Sequence, residues 1–251
     1  MSVDLIHLVQ HLGQPRVLVV GDLMLDRYVW GDAERISQEA PVILLHADRR
    51  EERLGGASSV ATMLRALGAR VALAGVVGAD MDGTRIRRML LDLGIDHDAV
   101  LTLNDRPSTV KERYIGRAQH RHPQQMIRVD YEVRTHINEA TAKQLNALIV
   151  QQMRKADIVL ISDYDKGVCT PAVLGEVITQ ARALGLRTLA DPIRGRDYQH
   201  YKGCSVITPN RLEAGLATGR ILQDIPQVFD RTIVPAGEIV GIGGVHADGE
   251  G

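Results

Sequence analysis

Four short apolar runs, each closing on a carboxylate or an amide, dominate the hydrophobic pattern of this 251-residue chain. Their apolar residues do not alternate with polar ones, and the runs are RVLVVGD (16–22), DIVLISD (157–163), RTLAD (187–191) and CSVITPN (204–210). Such continuous Val, Ile and Leu content is typical of strands buried on both faces, and a helical stretch at 171–184 lies between two of the runs. The pattern therefore predicts an α/β fold with a mostly parallel sheet flanked by helices on both faces.

The polar residues at or just beyond these strand ends are candidate site residues. In open parallel sheets, ligands bind outside the carboxyl ends of the strands. We therefore expect Asp26, Asp163, Asp191 and Asn210 to gather along one edge of the molecule. A lone Asp or Asn at such a position is often only a helix cap or a turn residue, and this alternative stays open for each one taken singly.

A pair of glycines, Gly55 and Gly56, opens an apolar helix that Gly68 ends. A β-rich run, VALAGVVG (71–78), and an acidic turn follow. Glycine lets the backbone approach a ligand closely, and the positive end of a helix attracts anions. The diglycine alone is explained equally well by a tight strand-to-helix connection without a ligand.

Two segments, about residues 32–53 and 106–130, interrupt the alternation of strands and helices. Both have β-like patterns with polar connections, so we expect a small second sheet that stands over the main domain as a lid. The second segment is locally basic, with Lys111, Arg113, Arg117, Arg121 and Arg128.

Lys111 and Arg113 alternate along a predicted strand and so share a face, which favours an anionic substrate there. For Arg117 and Arg121 we expect solvated surface instead. His120 and His122 have no further ligand at metal-site spacing, and we interpret them as loop residues.

Composition narrows the class of protein further. A net charge of −1 disfavours nucleic acid or an anionic membrane as the main partner. Two cysteines, Cys169 and Cys204, are too few for a disulfide scaffold, and no apolar run reaches transmembrane length. The N-terminal stretch predicts a short amphipathic helix over residues 3–12 rather than a signal peptide. We therefore expect a cytoplasmic protein.

Several motifs occur together in an order and spacing that resemble one family. They are VVGDLMLDRYVWGD (19–32), GGASSVA (55–61), VGADMDG (77–83), ISDYDKG (161–167) and ITPNRLEA (207–214). From about residue 15 to about residue 225 the chain resembles the ribokinase (PfkB) family of carbohydrate kinases. Within that family it is most similar to the kinases that phosphorylate D-glycero-β-D-manno-heptose 7-phosphate in the ADP-heptose pathway.

The resemblance implies a ribokinase-like fold and a set of residues around a phosphorylated sugar. Asp26 would hydrogen-bond sugar hydroxyls, and Lys111 and Arg113 on the lid would face the sugar phosphate. Other residues would lie close to the sugar, namely Gly55, Gly56, Ser59, Asp163 and Lys166.

The resemblance also implies ATP as co-substrate and Mg²⁺ as cofactor. Asn210 and Glu213 would orient the nucleotide phosphates, and Glu213 would hold Mg²⁺ through water. Such roles suit phosphoryl transfer, which depends mostly on positioning and on neutralising charge. Related kinases often dimerise through the lid, so a homodimer is also implied.

Two departures from the family pattern qualify these expectations. Ser59 stands where the family usually has Asn, so one sugar contact is expected to be shortened or lost. The family's Gly-Ala-Gly-Asp motif, whose Asp is the catalytic base, does not occur in the chain, so no catalytic residue is assigned.

The C-terminal part has no counterpart in the family pattern. We expect an incomplete kinase domain over residues 1–225 and an unassignable tail over 226–251. An active sugar kinase and a catalytically inactive fragment that binds sugar phosphate both remain open.

Overall fold

The computed structural model describes residues 13–117, 122–193 and 198–218, and its elements are as follows. The strands are β1 (Arg16–Gly21), β2 (Leu23–Ile36), β3 (Ile43–Gly56), β4 (Arg70–Gly78), β5 (Asp96–Leu103), β6 (Thr109–Arg117), β7 (Gln124–Tyr131), β8 (Ile158–Ser162), β9 (Arg187–Asp191) and β10 (Val206–Ile207). The helices are α1 (Ala57–Ala66), α2 (Met81–Asp92), α3 (Glu139–Met153), α4 (Pro171–Ala183) and α5 (Arg211–Thr218), with a 3-10 turn at Tyr198–Tyr201. The predicted helix at 3–12 and the tail at 226–251 lie outside the described residues.

The main sheet has six strands in the order β10-β9-β8-β1-β4-β5, and all of its pairings are parallel. Strand β1 lies at its centre, where Val17–Val20 pair with β4 on one side and β8 on the other. Leu18 and Val20 belong to one hydrophobic cluster, and Val17 and Val19 to another. The strand is therefore buried on both faces, as its continuous apolar run predicts.

Helices cover both faces of this sheet. The buried faces of α3 and α4 pack into the cluster that contains Leu18, and those of α1 and α2 pack into the cluster that contains Val17. Side-chain caps begin four of the helices in the described residues, at Asp80, Asn138, Thr170 and Asn210. The predicted α/β fold with a mostly parallel sheet is confirmed.

A second sheet has four strands in the order β3-β2-β6-β7. Its β2–β6 pairing is parallel and its two outer pairings are antiparallel. The second sheet predicted from the sequence is present, but β2 already begins at Leu23, one residue after Asp22. This start is earlier than predicted. The first residues of β2, Leu23–Leu25, are buried against the main domain, and only the later part of the strand is exposed.

None of the helices in the described ranges is both long and apolar enough to cross a lipid bilayer.

Candidate active site

The carboxyl ends of four neighbouring strands meet at one edge of the main sheet. The amide of Asp22 donates a hydrogen bond to Ser162 O (3.3 Å), and that of Asp163 donates to Asp191 O (3.3 Å). The hydroxyl of Thr208, just beyond β10, donates to Asp191 Oδ1 (3.2 Å). Asp163 and Asp191 therefore lie together at the edge where the sequence places ligand binding.

Tyr164 connects this edge to Asp26 on the second sheet. The pKa of the Tyr164 phenol is raised, mainly by burial and further by the negative charges of Asp191, Asp26 and Asp22. The backbone supports this placement, because the Tyr164 amide donates to Asp22 Oδ2 (2.8 Å) and Asp22 joins β1 to β2, the strand that carries Asp26. The two sheets share one site region.

The paired glycines lie directly beside Asp26. A Cβ atom at Gly55 would come within 2.4 Å of Asp26 Oδ2, and one at Gly56 within 2.5 Å of Asp22 O. Gly56 has φ +56°, which only glycine adopts readily, and the next amide, that of Ala57, donates to Asp22 O (2.9 Å). The backbone is therefore packed against both acidic residues at the start of α1.

Asp26 is already paired with a cation of the second sheet. Nη1 of Arg113 lies 2.7 Å from Asp26 Oδ1, and both side chains are 20% exposed. Lys111, on the neighbouring position of the same face of β6, has no ion pair with the described residues. The Asp26 carboxylate, which can accept hydrogen bonds from hydroxyl groups, is therefore adjacent to two cations and open to a ligand.

Asp163 is held by a buried tyrosine that sequence analysis did not single out. Its Oδ2 accepts a hydrogen bond from the Tyr201 hydroxyl (2.7 Å), and its Oδ1 accepts one from the amide of Asp165 (2.9 Å). Burial, followed by the charge of Asp163, raises the pKa of the Tyr201 phenol well above its usual range. The phenol therefore remains a hydrogen-bond donor to Asp163 at all ordinary pH values.

Lys166 is held by a carboxylate just beyond the second sheet. Its Nζ lies 2.8 Å from Glu132 Oε2, and the two side chains are 9% and 12% exposed. Burial tends to raise the pKa of Glu132, but hydrogen bonds from Lys166 and Arg134 outweigh it and lower the pKa. This ion pair joins the loop after β8 to the end of β7.

Asn210 and Glu213 form a reciprocal cap at the start of α5. The amide of Glu213 donates to Asn210 Oδ1 (2.9 Å), and the amide of Asn210 donates to Glu213 Oε2 (2.9 Å). This capping box leaves Glu213 Oε1 and the amides of Arg211 and Leu212 for other partners. The cap by itself accounts for an Asn at position 210 and a Glu at position 213. The contacts of these two residues with nucleotide stay a prediction.

Three buried ligand-type residues, Asp22, Asp163 and Cys169, have side-chain atoms within 4.8 Å of one another. The Asp22 carboxylate is already used by three backbone donors, and a thiol is a poor ligand for Mg²⁺. We therefore assign this cluster a structural role and not the binding of Mg²⁺.

The other predicted residues lie further from the strand ends or carry other contacts. Ser59 is half-buried in the first turn of α1. Arg117 pairs with Asp32 and Asp48, and Arg128 pairs with Asp130. His122 is exposed, whereas His120 and Arg121 lie outside the described residues.

Solved structures define the class of this fold. An Arabidopsis thaliana ribokinase, described as complexed with ribose and ATP, superposes with a TM-score of 0.62 at 18% identity, covering 86% of this chain and 67% of the other. A tetrameric inhibited form of Escherichia coli phosphofructokinase-2 superposes with a TM-score of 0.64 at 18% identity, covering 86% and 68%. The fold is therefore ribokinase-like.

The family follows from the sequence match. The model of the pfkB family carbohydrate kinases matches residues 14–233, so the chain belongs to the pfkB family of carbohydrate kinases. The resemblance seen in its motifs is confirmed.

Curated relatives carry more specific names. The bifunctional protein HldE of Wolinella succinogenes is 43% identical over 211 residues, which are 84% of this chain and 43% of that protein. The D-beta-D-heptose 7-phosphate kinase of Bordetella bronchiseptica is 44% identical over 211 residues, which are 84% of this chain and 64% of that protein. The chain thus spans less than two thirds of the length of either relative.

Proposed function

We propose that this chain belongs to an ATP-dependent sugar kinase that phosphorylates heptose 7-phosphate at its anomeric hydroxyl. The observation that carries the proposal is the contact between Arg113 and Asp26 beside Gly55. This contact brings together a carboxylate that accepts hydrogen bonds from hydroxyl groups and a cation, at a place where the backbone can approach a ligand. A phosphorylated sugar offers both complementary groups.

The acidic and basic residues bind different groups of the sugar phosphate. Asp26 accepts hydrogen bonds from sugar hydroxyls, while Lys111 and Arg113 bind the phosphate that the sugar already carries. Charge-assisted hydrogen bonds of this kind are about twice as strong as neutral ones. Asp163 and Lys166, fixed by Tyr201 and Glu132, contact the sugar from the main sheet.

The nucleotide side is built around α5. Asn210 and Glu213 orient the ATP phosphates, and the uncapped oxygen of Glu213 holds Mg²⁺ through water. Oxygen ligands and retained water suit this cation, which neutralises phosphate charge when it is bound. We place the activity in the cytoplasm, where ATP is available.

A second candidate function is sugar-phosphate binding without turnover. The observation that favours it is the absence of a Gly-Ala-Gly-Asp sequence from residues 1–251. A general base and an anion hole each contribute about 10²–10³-fold or more in rate.

Calorimetry with heptose 7-phosphate, together with an ATP-coupled assay, tests both candidates. Binding with turnover supports the kinase, and binding without turnover supports the second candidate. A control titration uses the same heptose without its phosphate, which we expect to bind at least about tenfold more weakly through loss of charge-assisted hydrogen bonds. Equal affinity for both sugars would contradict the role of Lys111 and Arg113.

We also propose that two chains pair through the second sheet. Apolar side chains are exposed near the outer end of the β2–β3 hairpin and along β7. They are Ile36 (71% exposed), Val42 (57%), Ile43 (60%), Leu44 (46%), Ile127 (56%) and Tyr131 (52%). Strands β3 and β7 are the two edges of this sheet, and exposed apolar side chains at sheet edges are often covered by a partner.

A further inference from the structure

Asp22 is a buried carboxylate for which neither the motifs nor the sugar contacts provide a role. It is the single residue between β1 and β2, and only 1% of it is exposed. An isolated buried charge is strongly unfavourable unless hydrogen bonds replace its water. Its partners therefore show what the residue does.

Three backbone amides of one loop donate to this carboxylate. Tyr164 N (2.8 Å) and Lys166 N (3.2 Å) donate to Oδ2, and Val168 N (3.1 Å) donates to Oδ1. The loop begins at Asp163 and contains Lys166, so three alternate amides in and just beyond the segment with these two proposed sugar contacts converge on Asp22. Every one of these bonds joins residues more than 140 positions apart.

Two residues of the loop have left-handed backbone conformations. Asp165 has φ +56° and Gly167 has φ +86°, both in the left-handed region. A Cβ atom at Gly167 would come within 2.1 Å of Thr135 O. A non-glycine residue such as Asp165 persists in this region only where its surroundings determine the backbone.

Other anchors hold the outer side of the loop. Arg106 Nη2 donates to Lys166 O (2.7 Å), and the amide of Ile137 donates to Gly167 O (3.0 Å). These bonds engage carbonyl groups, whereas Asp22 accepts from the amides of Tyr164, Lys166 and Val168. Asp22 therefore satisfies donors that these two anchors leave unpaired.

We propose that Asp22 is a positioning residue. By accepting hydrogen bonds from these three amides, it holds Asp163 and Lys166 where they contact the sugar phosphate. The inference rests on the proposed function for the sugar contacts. The anchoring of the loop itself can be measured without any sugar.

The test compares Asp22→Asn with the wild-type chain by amide hydrogen exchange and by calorimetry with heptose 7-phosphate. Asparagine keeps the shape but has one acceptor oxygen, so its NH₂ group must face a backbone donor. We expect exchange at one or more of the amides of 164, 166 and 168 to accelerate by at least about tenfold, and sugar affinity to fall by a similar factor.

Asp157→Asn is the matched control. Asp157 Oδ2 accepts one backbone amide, that of Arg16, at the opposite end of β1 (2.8 Å). We expect this variant to change neither the exchange of the three loop amides nor sugar affinity. Unchanged loop exchange or unchanged sugar affinity in a folded Asp22→Asn chain would overturn the proposal. If the wild-type chain binds no heptose 7-phosphate, the proposed function fails, and unchanged exchange would still refute the anchoring.

A wild-type measurement applies if Asp22→Asn does not fold. The amide proton shifts of residues 164, 166 and 168 are followed by NMR together with the carboxyl carbon of Asp22 as the pH is lowered. Neighbouring groups that also carry charge or titrate are Asp163, Lys166, Arg106 and Cys169. We expect the chemical shifts of the three amide protons to change with the same pH midpoint as the carboxyl carbon of Asp22. Amide shifts that follow only the titration of Asp163 would overturn the proposal.

Discussion

At the scale of single residues, the space around Gly55 determines where Asp26 can lie. An added methyl group would be 2.4 Å from Asp26 Oδ2 and 2.9 Å from Met24 Cγ. Gly55→Ala should therefore displace Asp26 and weaken binding of heptose 7-phosphate by about tenfold or more, since overpacking costs about 1–3 kcal/mol. Calorimetry measures this change.

Gly175→Ala is the control for this prediction. A Cβ atom at Gly175, in the interior of α4, would have nothing within 4 Å. This variant should keep its sugar affinity and gain about 0.5–1 kcal/mol in stability from helix propensity. Equal sugar affinities in the two variants would show that Gly55 does not position Asp26.

Arg113 supports a second prediction at this scale. Because its guanidinium contacts Asp26, Arg113→Ala should remove a phosphate ligand and leave Asp26 without its cation. Loss of charge-assisted hydrogen bonds predicts a fall in sugar-phosphate affinity of about 10–100-fold. Arg117→Ala, which removes pairs with Asp32 and Asp48, should leave that affinity unchanged in the same titration. A similar loss in both variants would point to general disruption of the sheet.

At the scale of elements, Asp80 joins the start of α2 to the segment before β6. Its Oδ1 accepts from Gly83 N (2.7 Å) and Ser108 Oγ (2.8 Å), and its Oδ2 accepts from Ser108 N (2.7 Å). Partial burial tends to raise the pKa of Asp80, but these hydrogen bonds outweigh it and lower the pKa below 3.8. The acidic turn after β4 is thus a helix cap.

The lowered pKa of Asp80 predicts a pH dependence of stability. Stability that comes from the ionised carboxylate is complete above the ordinary pKa of 3.8 and is lost as the pH falls through the lower folded-state value. Asp80→Asn should therefore destabilise the chain by about 1–2 kcal/mol at pH 7. Urea unfolding at pH 7, 5 and 3.5 should show this difference shrinking only at the lowest pH.

Asp92→Asn is the control on the same helix. Asp92 is 55% exposed and pairs with Arg88 one turn earlier. Exposed pairs of this kind contribute less than about 1 kcal/mol, so little change is expected at any pH. A destabilisation by Asp80→Asn that is the same at every pH would contradict the role of its charge.

At the scale of the whole molecule, the exposed apolar residues of the second sheet predict a dimer. Ile43→Asp and Ile127→Asp each place a charge at one of the two edges of this sheet, and the variant at the edge that pairs should shift sedimentation velocity from dimer towards monomer. Leu67→Asp is the control, because Leu67 is also 60% exposed but follows α1 in the main domain. A monomeric wild-type chain, or a dimer that both second-sheet variants leave intact, would contradict the proposal.

The arrangement of the main sheet was largely predictable from sequence because its strands are apolar on both faces. The site was less so. Asp22, Glu132 and Tyr201 were missed because their partners lie far away in the chain, 144 positions in the case of Asp22 and Lys166. For Tyr201, only its contact with Asp163 shows what the residue does.

The hydrophobic pattern by itself determined the parallel sheet, its covering helices and the existence of a second sheet, because burial on one or two faces is recorded in local residue order. The motifs by themselves determined the family. Only the tertiary structure decided that Asp26 pairs with Arg113, that Lys166 pairs with Glu132 and that Asp22 accepts three loop amides. These contacts depend on which strands become neighbours, and that is set by packing of the whole chain.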